Sequence, residues 1–251
     1  MKYGLLDNIK VEATKGIKAS CPSCGSELVA KCGELIVHHW AHKAVRDCDA
    51  WWETETEWHR VWKDHFPKEW QEIIHKSDNG EKHIADVKTD QGWVVEFQHS
   101  YLNHKERQAR NKFYSKLIWV VNGMRNDRDF VQFKRILTKH SIRVGDQTLI
   151  HLIFPKYCTI KCQLFKHWGN CDSLVFLDFK KDYNKPDSDL WLILPTNTYP
   201  ESLYLLKKSK KEIIEYLIDG RIEKWHEKHI QRIGKRKSLI SYLRSLQTIE
   251  K

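Results

Sequence analysis

The stretch that decides the fold is residues 83–99, HIADVKTDQGWVVEFQH. Two apolar runs with β-branched residues flank the segment 90–92, DQG. This pattern predicts two strands joined by a three-residue hairpin loop, with glycine at the position that favours positive φ. If the strands pair about Gln91, Asp86 lies directly opposite Glu96. A two-residue turn would shift this pairing by one residue, so the register depends on the loop length.

The two acids predicted to face each other need a compensating charge. Cross-strand neighbours have Cβ atoms roughly 4.5–5.5 Å apart, and like charges at that separation repel. A divalent cation between Asp86 and Glu96 is the simplest compensation, and carboxylate oxygens suit Mg²⁺ or Mn²⁺. Gln98 lies two residues beyond Glu96 and should project from the same strand face. Such an ion can support phosphodiester hydrolysis. The alternative is that both acids are solvent-facing residues of an edge hairpin.

Signals on both sides extend the hairpin into a larger α/β unit. Residues 51–66, WWETETEWHRVWKDHF, predict an amphipathic helix ended by Pro67. Within that helix Glu55, His59 and Lys63 would form one polar stripe, which could face the hairpin or form an ordinary exposed salt-bridged face.

The elements that follow complete the order of this unit. Residues 69–75 are a strand candidate. Asn103 and Glu106 have capping-box spacing and start a helix over 104–117. Residues 117–123, LIWVVNG, form a continuous apolar run, which is typical of a strand buried on both faces. The predicted order is helix, three strands, helix and strand.

Four motifs of this unit together resemble the competence protein CoiA-like family. They are ETEWH at 55–59, HIADV at 83–87, VVEFQHS at 94–100 and RNKFY at 110–114. The family is regarded as a PD-(D/E)XK nuclease with the αβββαβ core of restriction endonucleases. The resemblance covers roughly residues 10–125 and therefore implies an α/β, restriction-endonuclease-like core.

The resemblance also implies roles for individual residues. Asp86 and Glu96 would bind the metal ion, and Glu55 would be the acid contributed by the helix. Gln98 occupies the place of the usual lysine; it can orient a water but carries no charge. Lys63 or Lys88 would then supply a positive charge from elsewhere.

Two pairs of metal-binding residues lie nearer the N-terminus. Cys21 and Cys24 are separated by two residues, and His39 and His42 have the same spacing. Two close pairs joined by a loop suit tetrahedral zinc, so the four residues predict a structural zinc site, and the resemblance implies the same elements. The alternative ligands are His38, Cys32 and Cys48. A second Cys/His group is more irregularly spaced, and burial explains it better than a second zinc; its members are Cys158, Cys162, His167 and Cys171.

The predicted organisation has three regions. Residues 1–50 form the zinc-binding module, 51–145 the nuclease core, and 146–251 a strand-rich and then basic helical C-terminal region. The apolar runs at 149–154 and 173–179 predict strands in that last region, and 201–251 is predicted to be helical.

The charge distribution indicates a polyanionic partner. The 251-residue chain has a formal net charge of +10, and residues 206–251 carry 13 Lys/Arg against 6 Asp/Glu. A basic surplus attracts nucleic acid, although a solvated helical face would have the same composition. The residues assigned to nucleic-acid binding are Arg110, Tyr114, Lys235, Arg236 and Lys237.

The predicted function is metal-dependent hydrolysis of DNA. The predicted location is the cytoplasm, because the sequence shows neither a signal peptide nor a membrane span. The implied partners are DNA, single- or double-stranded, and proteins of recombination or DNA processing. The implied cofactors are catalytic Mg²⁺ or Mn²⁺ and structural Zn²⁺. Two alternatives stay open: a nucleic-acid-binding protein or scaffold without turnover, and a nuclease that acts on RNA.

Overall fold

The residues that the structure describes form two β-sheets, one of five strands and one of nine. The computed structural model describes residues 1–34, 36–43, 48–144, 149–154, 161–180, 188–194, 199–225, 227 and 228. Within these ranges, no helix has both the length and the apolar composition needed to cross a membrane.

The five-stranded sheet is built by the N-terminal residues and is antiparallel throughout, in the order β2-β1-β3-β4-β5. It covers a small core of its own that includes Cys21, Leu28 and Trp40. The strands are β1 (Tyr3–Leu6), β2 (Ile9–Glu12), β3 (Lys18–Ser20), β4 (Glu27–Lys31) and β5 (His39–His42).

The nine-stranded sheet has the order β10-β11-β14-β13-β12-β9-β8-β7-β6. Its interior strand β9 runs parallel to both neighbours, and every other pairing is antiparallel. The strands are β6 (Gln71–Lys76), β7 (Lys82–Lys88), β8 (Val94–Gln98), β9 (Leu117–Asn122), β10 (Ser141–Val144), β11 (Leu149–Ile153), β12 (Leu174–Asp178), β13 (Asp189–Leu194) and β14 (Ser202–Ser209).

Helices pack on this sheet, and two hydrophobic clusters place four of them on its two faces. One cluster contains apolar residues of α1 and α5, and the other contains those of α3 and α4. The helices are α1 (Glu57–Lys63), α2 (His104–Phe113), α3 (Asp127–His140), α4 (Gln163–Trp168) and α5 (Lys210–Ile218).

The predicted order of helix, three strands, helix and strand is found in α1, β6, β7, β8, α2 and β9. The hairpin loop closes as expected: Gly92 has φ +81°, and the Thr89 N–H donates to the Trp93 carbonyl at 2.8 Å. Val87 lies opposite Val95 in the register predicted from pairing about Gln91. Asp86 and Glu96 are the next residues along the two strands, just beyond the last pair.

Two predicted helices are corrected by the structure. The first helix begins at Glu57, because Thr56 is its N-cap and forms a capping box with His59; Glu55 therefore lies in the preceding loop. Residues 202–209, predicted to be helical, form β14 between β11 and β13. Residues 203–206 are all buried there, and a short apolar run does not by itself distinguish a buried strand from a buried helix.

The larger sheet is continuous across residue 145, where the sequence divides the second predicted region from the third. β10 lies before this position and β11 after it, and the two strands pair with each other. The described parts of 51–145 and 146–251 therefore share one sheet.

Candidate functional site

An acidic cavity lies between α1, the β7–β8 hairpin and the residues that precede α1. Its volume is about 60 Å³, which exceeds the roughly 10–15 Å³ that one water molecule needs. Two tryptophans fix α1 on the sheet, since Trp58 Nε1 and Trp62 Nε1 donate to Asp178 Oδ2 at 3.1 and 2.9 Å. The charged residues of the lining include Asp49, Glu53, Glu55, Lys63, Glu72, Asp86, Glu96 and Arg110.

Lys63 is the cation at the centre of these acids. Its Nζ lies 3.0 Å from Glu55 Oε2, 3.0 Å from Glu72 Oε1 and 3.1 Å from Asp86 Oδ1. Burial acts to lower the pKa of Lys63, but the three carboxylates outweigh it and raise that pKa well above its ordinary value. Lys63 therefore stays charged within this group of acids. Lys88, the other lysine considered for this charge, does not line the cavity, and its Nζ lies 3.0 Å from His75 Nδ1.

Arg110 is the second cation of the cavity and compensates Glu96. Its Nη1 donates to Glu96 Oε2 at 2.9 Å, and its Nη2 donates to the Trp51 carbonyl at 2.8 Å. Burial and the neighbouring Asp86 carboxylate nevertheless raise the pKa of Glu96 to about 8, while Arg110 opposes the rise. The repulsion inferred from the sequence is thus present, and side-chain cations offset part of it.

Gln98 lies outside the acidic cavity and borders a neighbouring one. Its Nε2 donates to Glu53 Oε2 at 2.8 Å and to the Ser100 carbonyl at 3.3 Å. Glu53 also accepts from the Ser100 N–H at 2.5 Å. Glu53 was not among the residues predicted from the sequence, because its partners lie about 45 residues further along the chain.

Two carboxylate oxygens in the acidic cavity support a cation there. Glu55 Oε1 and Glu96 Oε1 are buried and have no hydrogen-bond partner within the described residues. Unpaired buried carboxylate oxygens are costly unless something compensates them, and they are the donors that Mg²⁺ and Mn²⁺ prefer. The chemistry of these donors suits such an ion, but among the described residues the acids do not form a group of three ligand atoms within 4.8 Å of one another. The cavity thus offers no full cage of side-chain ligands, but Mg²⁺ usually binds one or two carboxylates and keeps several waters.

Four residues of the N-terminal sheet region form a group that could hold zinc. The ligand atoms of Cys21, Cys24, His42 and Cys48 all lie within 4.8 Å of one another. Cys21 Sγ is 3.6 Å from Cys48 Sγ, and Cys24 Sγ is 3.3 Å from His42 Nε2. Tetrahedral zinc with Zn–S bonds of about 2.3 Å places its sulfur ligands about 3.8 Å apart, so the spacing suits zinc.

His39 is not in this group, which corrects the predicted ligand set. His39 and His42 are three residues apart on β5, and residues at an odd separation project from opposite faces of a strand. His42 shares the face of buried Trp40, on the side of Cys21. The His39 ring lies 2.8 Å from the Val37 carbonyl instead. Cys48, named only as a substitute, takes the fourth position.

The predicted nucleic-acid-binding residues are also corrected where the structure describes them. Arg110 is buried and paired with Glu96 at the wall of the cavity, and Tyr114 is buried in the core, so neither belongs to an exposed basic surface. Lys235, Arg236 and Lys237 lie outside the described residues. In the second Cys/His group, Cys162 and Cys171 are buried in the core as predicted, and Cys158 lies outside the described residues.

One comparison with known proteins found a match. Residues 6–50 match the model of the family described as competence protein CoiA, N-terminal domain, and this segment contains all four residues of the Cys/His group. The resemblance to the CoiA-like family is thereby confirmed over the N-terminal sheet region. Neither the curated proteins nor the solved structures include a match.

Proposed function

We propose that the protein is a metal-dependent nuclease of the PD-(D/E)XK type that hydrolyses phosphodiester bonds in DNA. The observation that carries the proposal is the acidic cavity, which Asp86, Glu96 and Lys63 all line and in which two buried carboxylate oxygens have no hydrogen-bond partner among the described residues. The order of α1, β6, β7, β8, α2 and β9 agrees with an αβββαβ core. The match to the CoiA family supports a role in DNA uptake, recombination or DNA processing.

Each charged residue of the cavity has a distinct part in this proposal. Asp86 and Glu96 would hold Mg²⁺ or Mn²⁺, which would polarise the phosphate and acidify a bound water. Asp86 is oriented by the Phe97 N–H, which donates to its Oδ2 at 2.9 Å. Lys63 places a fixed positive charge beside Asp86, where it stabilises the developing charge of the transition state. Arg110 positions Glu96, and Glu55 and Glu72 position Lys63.

We also propose that Cys21, Cys24, His42 and Cys48 bind a structural zinc ion. Four protein ligands leave no open position for catalysis, so this zinc would stabilise the N-terminal sheet region.

A cleavage assay tests the nuclease proposal. Asp86→Asn and Glu96→Gln keep the size of each side chain, and we expect each to lower the cleavage of single- and double-stranded DNA with Mn²⁺ at least 100-fold. Lys63→Met should lower cleavage as well, whereas Lys88→Met, which removes a lysine outside the cavity, should not. Thermal unfolding shows which variants remain folded. Wild-type cleavage by folded Asp86→Asn would refute the assignment.

One observation favours a second candidate, a nucleic-acid-binding protein without turnover. Asp86 and Glu96 already have cationic partners in Lys63 and Arg110, so the cavity is partly compensated without a metal. Salt-sensitive DNA binding without products, at every Mn²⁺ concentration tried, would favour this candidate over the nuclease. A parallel assay with RNA separates the two possible nuclease substrates.

A further inference from the structure

A second cavity of about 290 Å³ adjoins the acidic one. The two share Trp52, Glu53 and Arg110 in their linings, so a ligand in the second cavity lies beside the proposed scissile phosphate. Its volume is close to the lower end of the range for ligand pockets, about 300 Å³. The other residues that line it are Thr54, Thr56, Gln98, His99, Ser100, Tyr101, Leu102 and Glu106.

Two exposed aromatic rings border this second cavity. Trp52 is 41% exposed and Tyr101 is 65% exposed, and both are among the few large apolar side chains that the described surface presents to solvent. The Tyr101 ring is held edge-on against His167, with centroids 5.0 Å apart, and its neighbour Leu102 is buried. Rings that are anchored yet exposed suit a flat ligand, because bases stack on aromatic faces with little sequence preference.

Gln98 supplies the polar recognition. It is 3% exposed and lines the cavity, and its Oε1 has no hydrogen-bond partner within the described residues. Its amide cannot be turned round, because Nε2 faces two acceptors, Glu53 Oε2 and the Ser100 carbonyl. The unpartnered oxygen is therefore a fixed acceptor. Every unpaired base offers a donor on its pairing edge: an exocyclic amino group in adenine, cytosine and guanine, and the N3–H in thymine.

The charges of the lining do not prevent an anionic strand from approaching. Glu53 accepts hydrogen bonds from Gln98 and the Ser100 N–H, which hold its carboxylate in place, and the charge of Glu106 is offset by its ion pair with Arg110. Arg125 lies at the same loop, where its Nη1 donates to the Ser100 carbonyl at 2.7 Å. The lining thus combines aromatic faces, a buried acceptor and a neighbouring cation.

We infer that this second cavity binds an unpaired base of single-stranded DNA, next to the bond that the acidic cavity cleaves. This inference rests on the proposed function for the neighbouring phosphate. A base within a duplex has its faces covered by its neighbours and its pairing edge occupied, so only an unstacked base reaches Trp52, Tyr101 and Gln98 together. The substrate class is therefore single-stranded DNA, and Gln98 Oε1 accepts from a donor on the pairing edge of the unpaired base.

The test measures binding apart from cleavage. Anisotropy of labelled oligo(dA), oligo(dC), oligo(dT) and a matched duplex is recorded with the full zinc-loaded chain, at one salt concentration and without added Mg²⁺ or Mn²⁺. Trp52→Ala and Tyr101→Ala should each weaken oligo(dA) binding on the order of tenfold, because each removes one stacking face. Trp52→Phe and Tyr101→Phe should retain most of the affinity. Val131→Ala on α3, which alters a side chain as exposed as Tyr101 at 65%, is the matched control and should change nothing.

The acceptor has its own variant. Gln98→Leu removes the acceptor and should weaken the binding of oligo(dA), oligo(dC) and oligo(dT) alike, while Trp52 continues to contribute to binding. Unchanged affinity in both alanine variants, equal affinity for the duplex, or tighter binding of oligo(rA) would each overturn the inference. The failures are distinguishable: normal cleavage by Asp86→Asn refutes the nuclease, whereas unaltered binding by Trp52→Ala and Tyr101→Ala refutes the base site.

Discussion

Glu72 has more influence on the site than its place in the sequence suggests. It is a buried non-glycine residue with φ +50°, a left-handed conformation that costs free energy unless contacts stabilise it. Those contacts are clear: its carboxylate accepts the Lys2 and Tyr3 N–H groups at 2.6 and 2.9 Å and pairs with Lys63 at 3.0 Å. Glu72 therefore connects the first residues of the chain to the central lysine of the acidic cavity.

The pH dependence of stability follows from Glu72. Burial acts to raise its pKa, but Lys63 and the two amides lower the pKa to about 2, below the ordinary value of 4.5. Between these two pKa values the unfolded chain binds more protons than the folded one. The stabilisation that Glu72 gives the folded state is therefore fully present above pH 4.5 and is lost as the pH falls towards 2. Urea unfolding should show the wild type more stable than Glu72→Gln by a few kcal/mol at pH 6, with the difference shrinking as the pH falls. A difference that is constant between pH 6 and 3 would contradict the assigned pKa.

The sequence predicts elements best where the signal is local. The β7–β8 hairpin, its glycine loop and the Asn103 cap of α2 all depend on neighbouring residues, and the structure has each of them. The fully buried strand β9 is equally easy to predict, because its six side chains are apolar or amide and leave no charged face. β14 was misassigned, since its strand character comes from pairing with β11 and β13. That pairing is not visible in the local pattern.

The site was predictable only in part, for the same reason. Asp86, Glu96 and Lys63 are found in one cavity as expected, because the hairpin register and the helix bring them there. Asp49 and Glu53 were missed, although both line that cavity, because no spacing rule connects them with their partners on β7 and β8.

The ligand set of the N-terminal group tests the effect of strand geometry. Because β5 projects His42 towards the cysteines and His39 away from them, Cys48→Ser should lower zinc content and His39→Asn should not. The measurement is zinc stoichiometry by elemental analysis, with Co²⁺ substitution to report thiolate coordination through its charge-transfer absorption. If His39→Asn lost its zinc while Cys48→Ser kept it, the ligands would instead be the two predicted pairs, Cys21 with Cys24 and His39 with His42.

At the scale of the whole molecule, one run of contacts joins the Cys/His group to the acidic cavity. Asp49 directly follows Cys48, and its carboxylate accepts the Ile84 N–H at 2.7 Å and contacts the His83 ring at 2.7 Å. His83 in turn stacks on Trp51, with centroids 3.3 Å apart. The Trp51 carbonyl accepts from Arg110, the residue that holds Glu96.

Zinc binding should therefore stabilise the acidic cavity as well as its own ligands, because an ordered Cys48 fixes the backbone of Asp49. We expect removal of zinc to speed hydrogen exchange at the Ile84 amide at least tenfold, while the Val120 amide in the buried interior strand β9 keeps its protection. Asp49→Ala should reproduce the faster exchange at Ile84 with zinc still bound, because it removes the acceptor and leaves the four ligands in place. Equal protection of Ile84 in the zinc-loaded and zinc-free proteins would show that the two sites are independent. Amide exchange read by NMR decides between these outcomes without any measurement of cleavage.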